Sequence, residues 1–315
     1  MRRFNTWEEI TDIGPTAVAL GNFDGVHKGH QELITRAVKN AGSAGLKSAV
    51  FTFSNHPKEV LSHAAPRSSA TVKSILRADE KTRIIEELGV EYLFNMPFDD
   101  AIMRMSAVEF VHKLLLMKLK TREVYCGFNY KFGHKASGNP ETLTREGLRH
   151  GLRIHVLEPY RVDGEIVSSS LIRERVEKGD VEACRRLMGR HYAISGKVVE
   201  GNRIGKTIGF PTSNLLIDES MATPANGVYI TRCACGGARY PSVTNVGVKP
   251  TIGQFQKSVE THIFEFDREL YGQTIRVEFL RRTRDERKFE SVEELTGQIA
   301  RDCAMAQAYH RKNFT

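Results

Sequence analysis

The stretch Thr16-Ala17-Val18-Ala19-Leu20-Gly21-Asn22-Phe23-Asp24-Gly25-Val26-His27-Lys28-Gly29-His30 decides how the chain is read. Its first six residues form an apolar run short enough for a buried strand, and the segment from His30 to Ala44 spaces its apolar residues as a helix does. A strand, a glycine-rich turn and a helix in this order belong to an open α/β sheet, in which ligands bind at the carboxyl ends of the strands. Glycine lets backbone approach a phosphate closely, and a helix start offers unpaired N–H groups to an anion. His27 and His30, three apart at that turn, can face one phosphate and donate hydrogen bonds as charge develops on it. Read by itself, the same turn is also compatible with two solvated histidines.

The grammar continues outward. Lys47–Phe53, Glu91–Asn95 and Glu123–Gly127 read as buried strands, and helical spacing recurs over 79–88 and 106–118. A strand at Arg153–Leu157 and helices at Ser169–Glu177 and Val181–Met188 follow. Strands alternating with helices predict a Rossmann-like parallel sheet with crossover helices. After Gly189 the pattern changes to strand-like runs at Tyr192–Val199, Gly227–Cys235, Tyr240–Val246, Val259–Phe266 and Thr274–Leu280, separated by Gly and Pro turns. That rhythm predicts an antiparallel β-barrel closed by a terminal helix from Ser291. We expect two domains, 1–188 and 189–315.

Bulk properties narrow the field. The chain has 315 residues, 40% hydrophobic and 27% charged, with a formal net charge of +8. The basic surplus favours anionic partners but is interleaved with acids, as in Arg281–Lys288, and forms no dense run. Five cysteines, an odd number in a chain this long, predict reduced thiols and a cytoplasmic protein. Cys233-Ala234-Cys235 lacks a second pair at zinc-like spacing and reads as structural. The N-terminus has no signal-peptide pattern, and no apolar stretch is long enough to span a membrane. A nucleic-acid-binding barrel would need aromatic residues interleaved with basic ones on adjacent strands, and no such ladder is present. Neither nucleic acid nor membrane is therefore an expected partner.

His27-Lys28-Gly29-His30 resembles the H-x-G-H signature of the nucleotidylyl transferases, and Val167-Ser168-Ser169-Ser170-Leu171-Ile172-Arg173 is similar to their I-S-S-T-x-I-R motif, with Ser170 in place of Thr. Thr52-Phe53-Ser54-Asn55-His56-Pro57 and Phe128-Asn129-Tyr130-Lys131-Phe132-Gly133 look like segments of the bacterial bifunctional riboflavin kinase/FAD synthetase family. That resemblance spans nearly the whole chain. It implies ATP handling by Asn22, Asp24, His27, His30, Ser168 and Arg173, with His56 and Asn129 helping to seat ATP and FMN. The aromatic loop Phe128–Phe132 would flank a flavin ring.

In the second half, Gly201–Thr207 mimics a P-loop but is one residue short, Glu200 standing where the first glycine belongs. Gly209-Phe210-Pro211-Thr212-Ser213-Asn214 is similar instead to the riboflavin kinase motif G-F-P-T-A-N, with Ser213 for Ala. Thr212 and Asn214 are hard oxygen ligands, and the resemblance assigns them Mg²⁺. It assigns nucleotide binding to Gly205 and Lys206, where relatives usually carry Arg; lysine keeps the charge but loses the bidentate fork. Thr244–Thr251 and Val259–Phe264 are similar to further kinase segments, which makes Glu260 the base for a flavin hydroxyl and His262 its support. Arg284–Ser291 looks like the segment that covers the flavin. The implied activity is phosphorylation of riboflavin to FMN and adenylylation of FMN to FAD, with ATP and Mg²⁺. A nucleotidylyl transferase with a non-catalytic barrel is the competing reading, and oligomeric state stays open.

Overall fold

The computed structural model describes residues 1–55, 57, 72–201, 204–251 and 254–314, with side chains at all of these except 204, 206, 249–251 and 254–256. Its residues form two compact units, Met1–Ser169 and Ser170–Thr315. The helices Ser169–Glu177 (α6) and Val181–Met188 (α7), expected as a continuation of the first half, thus fall almost wholly in the second unit.

The first unit is built on a six-stranded parallel sheet. Its strands are β1 (Arg2–Phe4), β2 (Thr16–Leu20), β3 (Lys47–Phe53), β4 (Tyr92–Met96), β5 (Thr121–Gly127) and β6 (Arg153–Leu157). They lie in the order β1-β4-β3-β2-β5-β6. All five residues of β2 are buried, as expected of a parallel strand covered on both faces. The chain steps from β2 through β3 to β4 on one side and places β5 and β6 on the other. The order therefore reverses between β2 and β5, and the crevice at their carboxyl ends is where such sheets bind ligands.

The crossover helices include α1 (Lys28–Ala44), α2 (Ala78–Glu87), α3 (Asp100–Arg104), α4 (Ala107–Glu109) and α5 (Pro140–Arg149). Gly45, at φ 65°, ends α1 in the left-handed conformation that glycine adopts without strain. The helix expected over 106–118 is a single α-helical turn, capped by Ser106 and Glu109, that widens into a π-helix over Phe110–Lys118. Apolar spacing alone does not separate the two windings.

The second unit is a closed barrel of β9 (Tyr192–Val199), β10 (Ser213–Leu216), β11 (Gly227–Cys235), β12 (Ala238–Thr251), β13 (Gln254–Ile263) and β14 (Thr274–Arg284), after the small hairpin β7 (Arg161–Val162) and β8 (Glu165–Ile166) of the first unit. β13 begins earlier than expected and stops at Ile263, because Glu265 takes a left-handed φ of 53°. Inside the barrel, a ladder of buried hydroxyls links three strands: Thr231 to Ser242 and Thr244 at 2.8 and 2.7 Å, and Thr244 to Thr261 at 2.9 Å. Each hydroxyl can donate once and accept twice, so the ladder satisfies its own polar groups. Cys233 and Cys235 are both buried and unbridged, and burial pushes the Cys233 thiol up to about 12. Among the described residues no helix is long and apolar enough to cross a membrane.

The helix α8 (Ile204–Thr207) precedes β10, and the final helix α9 (Val292–Asn313) covers β11 and β12, capped by Ser291, whose hydroxyl accepts from Glu294 N at 3.1 Å. Its buried Asp302 takes a forked contact from Arg284, Nε at 3.1 Å and Nη2 at 2.8 Å. Removing one member of such a pair leaves the other charge poorly solvated, at a cost of about 3–5 kcal/mol. Asp302→Ala should lower the barrel unit's unfolding free energy by that order in urea titration; a change below about 1 kcal/mol would show that Arg284 finds water instead.

Candidate active sites

In the first unit the loop after β2 is wound tightly. Phe23 (φ 51°), Gly25 (φ 81°) and Val26 (φ 32°) all lie at positive φ, which for Phe and Val is strained. Hydrogen bonds from three other segments help to hold it. The buried Asp24 carboxylate accepts from Ile75 N at 2.9 Å, the Asp24 carbonyl accepts from Ser169 Oγ at 2.7 Å, and the Asn22 carbonyl accepts from Thr52 Oγ1 at 3.0 Å. The loop delivers His27 as the N-cap of α1, where its Nδ1 accepts from His30 N at 3.2 Å. A neutral imidazole that accepts at Nδ1 carries its proton on Nε2. The two rings stack with centroids 3.6 Å apart and planes at 15°. A Cβ on Gly29 would stand 3.2 Å from Tyr160 Cβ and 3.4 Å from the His27 ring, so the glycine makes room for the stack.

Of the other expected residues, Ser168 sits partly buried immediately before the hydroxyl that anchors Asp24. Asn129 lies in an exposed turn just past β5, on the far side of the β2–β5 crevice, with Phe128 exposed beside it. Arg173 lies on α6 in the second unit. His56 lies outside the described residues.

Sequence reading overlooked Lys81. Its Nζ, on α2, donates to the Phe53 carbonyl at 2.9 Å and reaches Thr52 Oγ1 at 3.4 Å, beneath the loop. Burial pulls its pKa down to about 8, against the opposing pull of Asp24. Nothing in the pattern of α2 distinguishes Lys81 from a surface lysine, since only the sheet above it creates the burial.

In the barrel unit the register sets the site. Asn214 on β10 faces Glu260 on β13, and Glu260 in turn faces Asn245 on β12. The three form one row across three strands, and opposite residues share a face. Thr261, the neighbour of Glu260, is wholly buried with the hydroxyl ladder, so the row lies on the outer surface. Two glycines wrap over it. A Cβ on Gly201 would fall 2.3 Å from Asn214 Nδ2, and one on Gly205 would fall 2.3 Å from the Phe210 carbonyl and 3.4 Å from Thr212 Oγ1. His262 Nδ1 holds the Pro211 carbonyl at 2.7 Å, which fixes the turn ahead of Thr212. Glu286 stands over Gly247, where a Cβ would meet its Oε1 at 2.6 Å, and accepts from Asn226 Nδ2 at 3.0 Å. Asn245 and Glu286 fall in the kinase-like segments Thr244–Thr251 and Arg284–Ser291 but were given no role of their own, and Asn226 carried no signal, because the barrel register that joins them is not local. The backbone of Lys206 belongs to α8.

Comparison with known proteins finds a family match in each half of the chain. The FAD synthetase family model matches residues 10–171 and the riboflavin kinase model matches residues 188–310. The chain is 35% identical over 297 residues to the bifunctional riboflavin kinase/FMN adenylyltransferase of Bacillus subtilis, covering 93% of this chain and 92% of the relative. It is 32% identical over 295 residues to the Haemophilus influenzae protein of the same name, covering 93% and 94%. A crystal structure described as a macrolide-efflux protein from Streptococcus pneumoniae superposes with a TM-score of 0.87 at 30% identity, covering 100% of this chain and 99% of that one.

The environment of Lys81 gives a measurable signature. Between pH 8 and 10.5 the folded chain has released this proton while the unfolded chain still holds it, so stability attributable to Lys81 rises with pH there. Unfolding measurements should show the parent gaining about 3 kcal/mol on Lys81→Met across that window. A difference that does not change with pH would mean Lys81 is solvated.

Proposed function

Because the chain belongs to the bifunctional riboflavin kinase/FMN adenylyltransferase family and converts riboflavin through FMN to FAD with ATP, we propose that its two reactions divide between the two sites above. Adenylyl transfer runs at the His27–His30 loop, with 1–188 as the adenylyltransferase domain, and phosphorylation runs at the Asn214–Glu260–Asn245 row, with 189–315 as the kinase domain.

For adenylyl transfer, an FMN phosphate oxygen attacks the α-phosphorus of ATP, a new P–O bond forms, and the bond to the β-phosphate oxygen breaks to release pyrophosphate. The His27 Nε2–H and the stacked His30 imidazole donate to oxygens that gain charge as this happens. The start of α1 supplies further N–H groups and a favourable dipole. Asn22, Asp24 and Ser168 contribute to ATP binding, and Asn129 with Phe128 to the flavin side; the ATP-binding role of Arg173 and the role of His56 rest on their motifs alone.

For phosphorylation, the riboflavin primary hydroxyl attacks the γ-phosphorus, ADP leaves, and Glu260 takes the hydroxyl proton. Thr212 and Asn214 present oxygen donors under Gly201 and Gly205, a cradle that any side chain at either glycine would fill. That donor set suits Mg²⁺, which Thr212 and Asn214 would hold and which, when bound, neutralises phosphate charge. Gly205 leaves the backbone open for the nucleotide phosphates, with Lys206 as the nearby charge. We place the enzyme in the cytoplasm, a reading supported by five unbridged, buried cysteines.

The observation that carries this division over an adenylyltransferase with an inert barrel is the row itself. An inert barrel has no use for a carboxylate between two asparagines beneath a glycine cradle.

His30→Ala should lower FAD formation from supplied FMN by about 100-fold or more while FMN formation continues, read by product chromatography. Glu260→Ala should do the reverse by a similar factor. Either variant retaining full turnover at its own step would refute its role. Gly201→Ala, whose methyl displaces Asn214, should raise the Mg²⁺ concentration needed for phosphorylation without changing that for adenylylation. An unchanged titration would return Asn214 to a structural role.

A further inference from the structure

One polar cluster in the first unit takes no part in either reaction. His112 lies on the π-helix, partly buried; Glu146 is buried near the end of α5; and His150 is the exposed C-cap of the same helix. Glu146 and His150 are four apart and so share a helix face. His112 comes from the neighbouring helix to meet them. One ligand atom from each residue lies within 4.8 Å of the others, and the two imidazole rings meet edge to face with centroids 4.0 Å apart.

The bonding around these groups is incomplete for so buried a carboxylate. Glu146 is 5% exposed, yet its partners are two arginines more than 60% exposed, at long distances: Arg145 Nε at 3.4 Å and Arg149 Nη1 at 3.2 Å. Contacts of that kind with mobile surface side chains are weak. Among the described residues neither imidazole makes a hydrogen bond, and neither pairs directly with Glu146. Two nitrogens and a carboxylate oxygen thus converge without bonding one another.

We propose that His112, Glu146 and His150 form a zinc site that clips the π-helix to α5. Two ligands each about 2.1 Å from zinc at a tetrahedral angle stand about 3.4 Å apart, so atoms already within 4.8 Å close on the ion by side-chain rotation alone. Two imidazoles and one carboxylate suit zinc and leave its fourth position to water. The same set is poor for Mg²⁺, which prefers oxygen ligands. A π-helix is an uncommon winding that recurs at functional sites, and here it carries one ligand. The site stands apart from the adenylyltransferase loop, because α5 runs from there towards the start of β6, and His150 is three residues before that strand. The clip ties two helices and leaves both reactions as they are.

The test is equilibrium dialysis of the chelator-treated full chain against zinc, with metal counted by mass spectrometry, alongside His112→Gln, His150→Gln and the double variant. The parent should hold one zinc more per chain than the double variant at low-micromolar free zinc. Each single replacement should weaken that binding about tenfold or more, which is the order that loss of an outer partner of a zinc ligand already costs. Zinc should raise the melting temperature of the parent and not of the double variant, while FMN and FAD formation stay equal in all four proteins. Equal zinc occupancy in the parent and the double variant would overturn the proposal, since it would locate binding elsewhere, at His27 and His30 for example. No zinc on the parent would overturn it equally.

Discussion

The loop that follows β2 is organised around Asp24. Its carboxylate anchors the backbone that enters α2, and its carbonyl anchors the start of α6 through Ser169. Between these two hydrogen bonds the chain accepts left-handed conformations at Phe23 and Val26 that it would otherwise abandon, at about 1–3 kcal/mol each. The strain has a use. It turns the chain sharply enough for His27 to cap α1 with one nitrogen and present the other. Lys81, buried below, binds the carbonyl at the end of β3 and offsets the Asp24 charge. Hydrogen bonds within the chain thus hold the loop in place, and donors fixed in advance are what electrostatic stabilisation of a reacting phosphate requires.

The barrel reaches a fixed site by a different route. There the strands themselves are the scaffold, and antiparallel register puts Asn214, Glu260 and Asn245 side by side without strained backbone. The hydroxyl ladder on the opposite face ties two of these strands, β12 and β13, to each other and to β11 from within. Two glycines then admit a loop so close that no other residue would fit. Placing functional groups on strands and covering them with a glycine loop gives precise donors together with an approach for phosphate.

Much of this was legible from sequence. The buried run of β2 followed by glycines and a spaced histidine pair specified both the sheet and the loop, because apolar periodicity and turn chemistry are local signals. The change of rhythm after Gly189 specified the barrel. What stayed hidden depends on tertiary neighbours. Lys81 is unremarkable until β3 lies over it, and Asn245 joins Glu260 only through the register of β12 on β13. The π-helix at Phe110–Lys118 shares its apolar content with an ordinary helix. Packing, rather than pattern, puts α6 and α7 in the second unit, ahead of the change in strand rhythm.

If adenylyl transfer belongs to the His27–His30 loop and phosphorylation to the Asn214–Glu260–Asn245 row, FMN made on one molecule can be adenylylated on another. Mixing His30→Ala protein with Glu260→Ala protein, and supplying only riboflavin, ATP and Mg²⁺, tests it most directly. Neither variant alone should yield FAD, and the mixture should, with FMN made by the first and adenylylated by the second. FAD from either variant alone, or none from a mixture of two folded proteins, would contradict it.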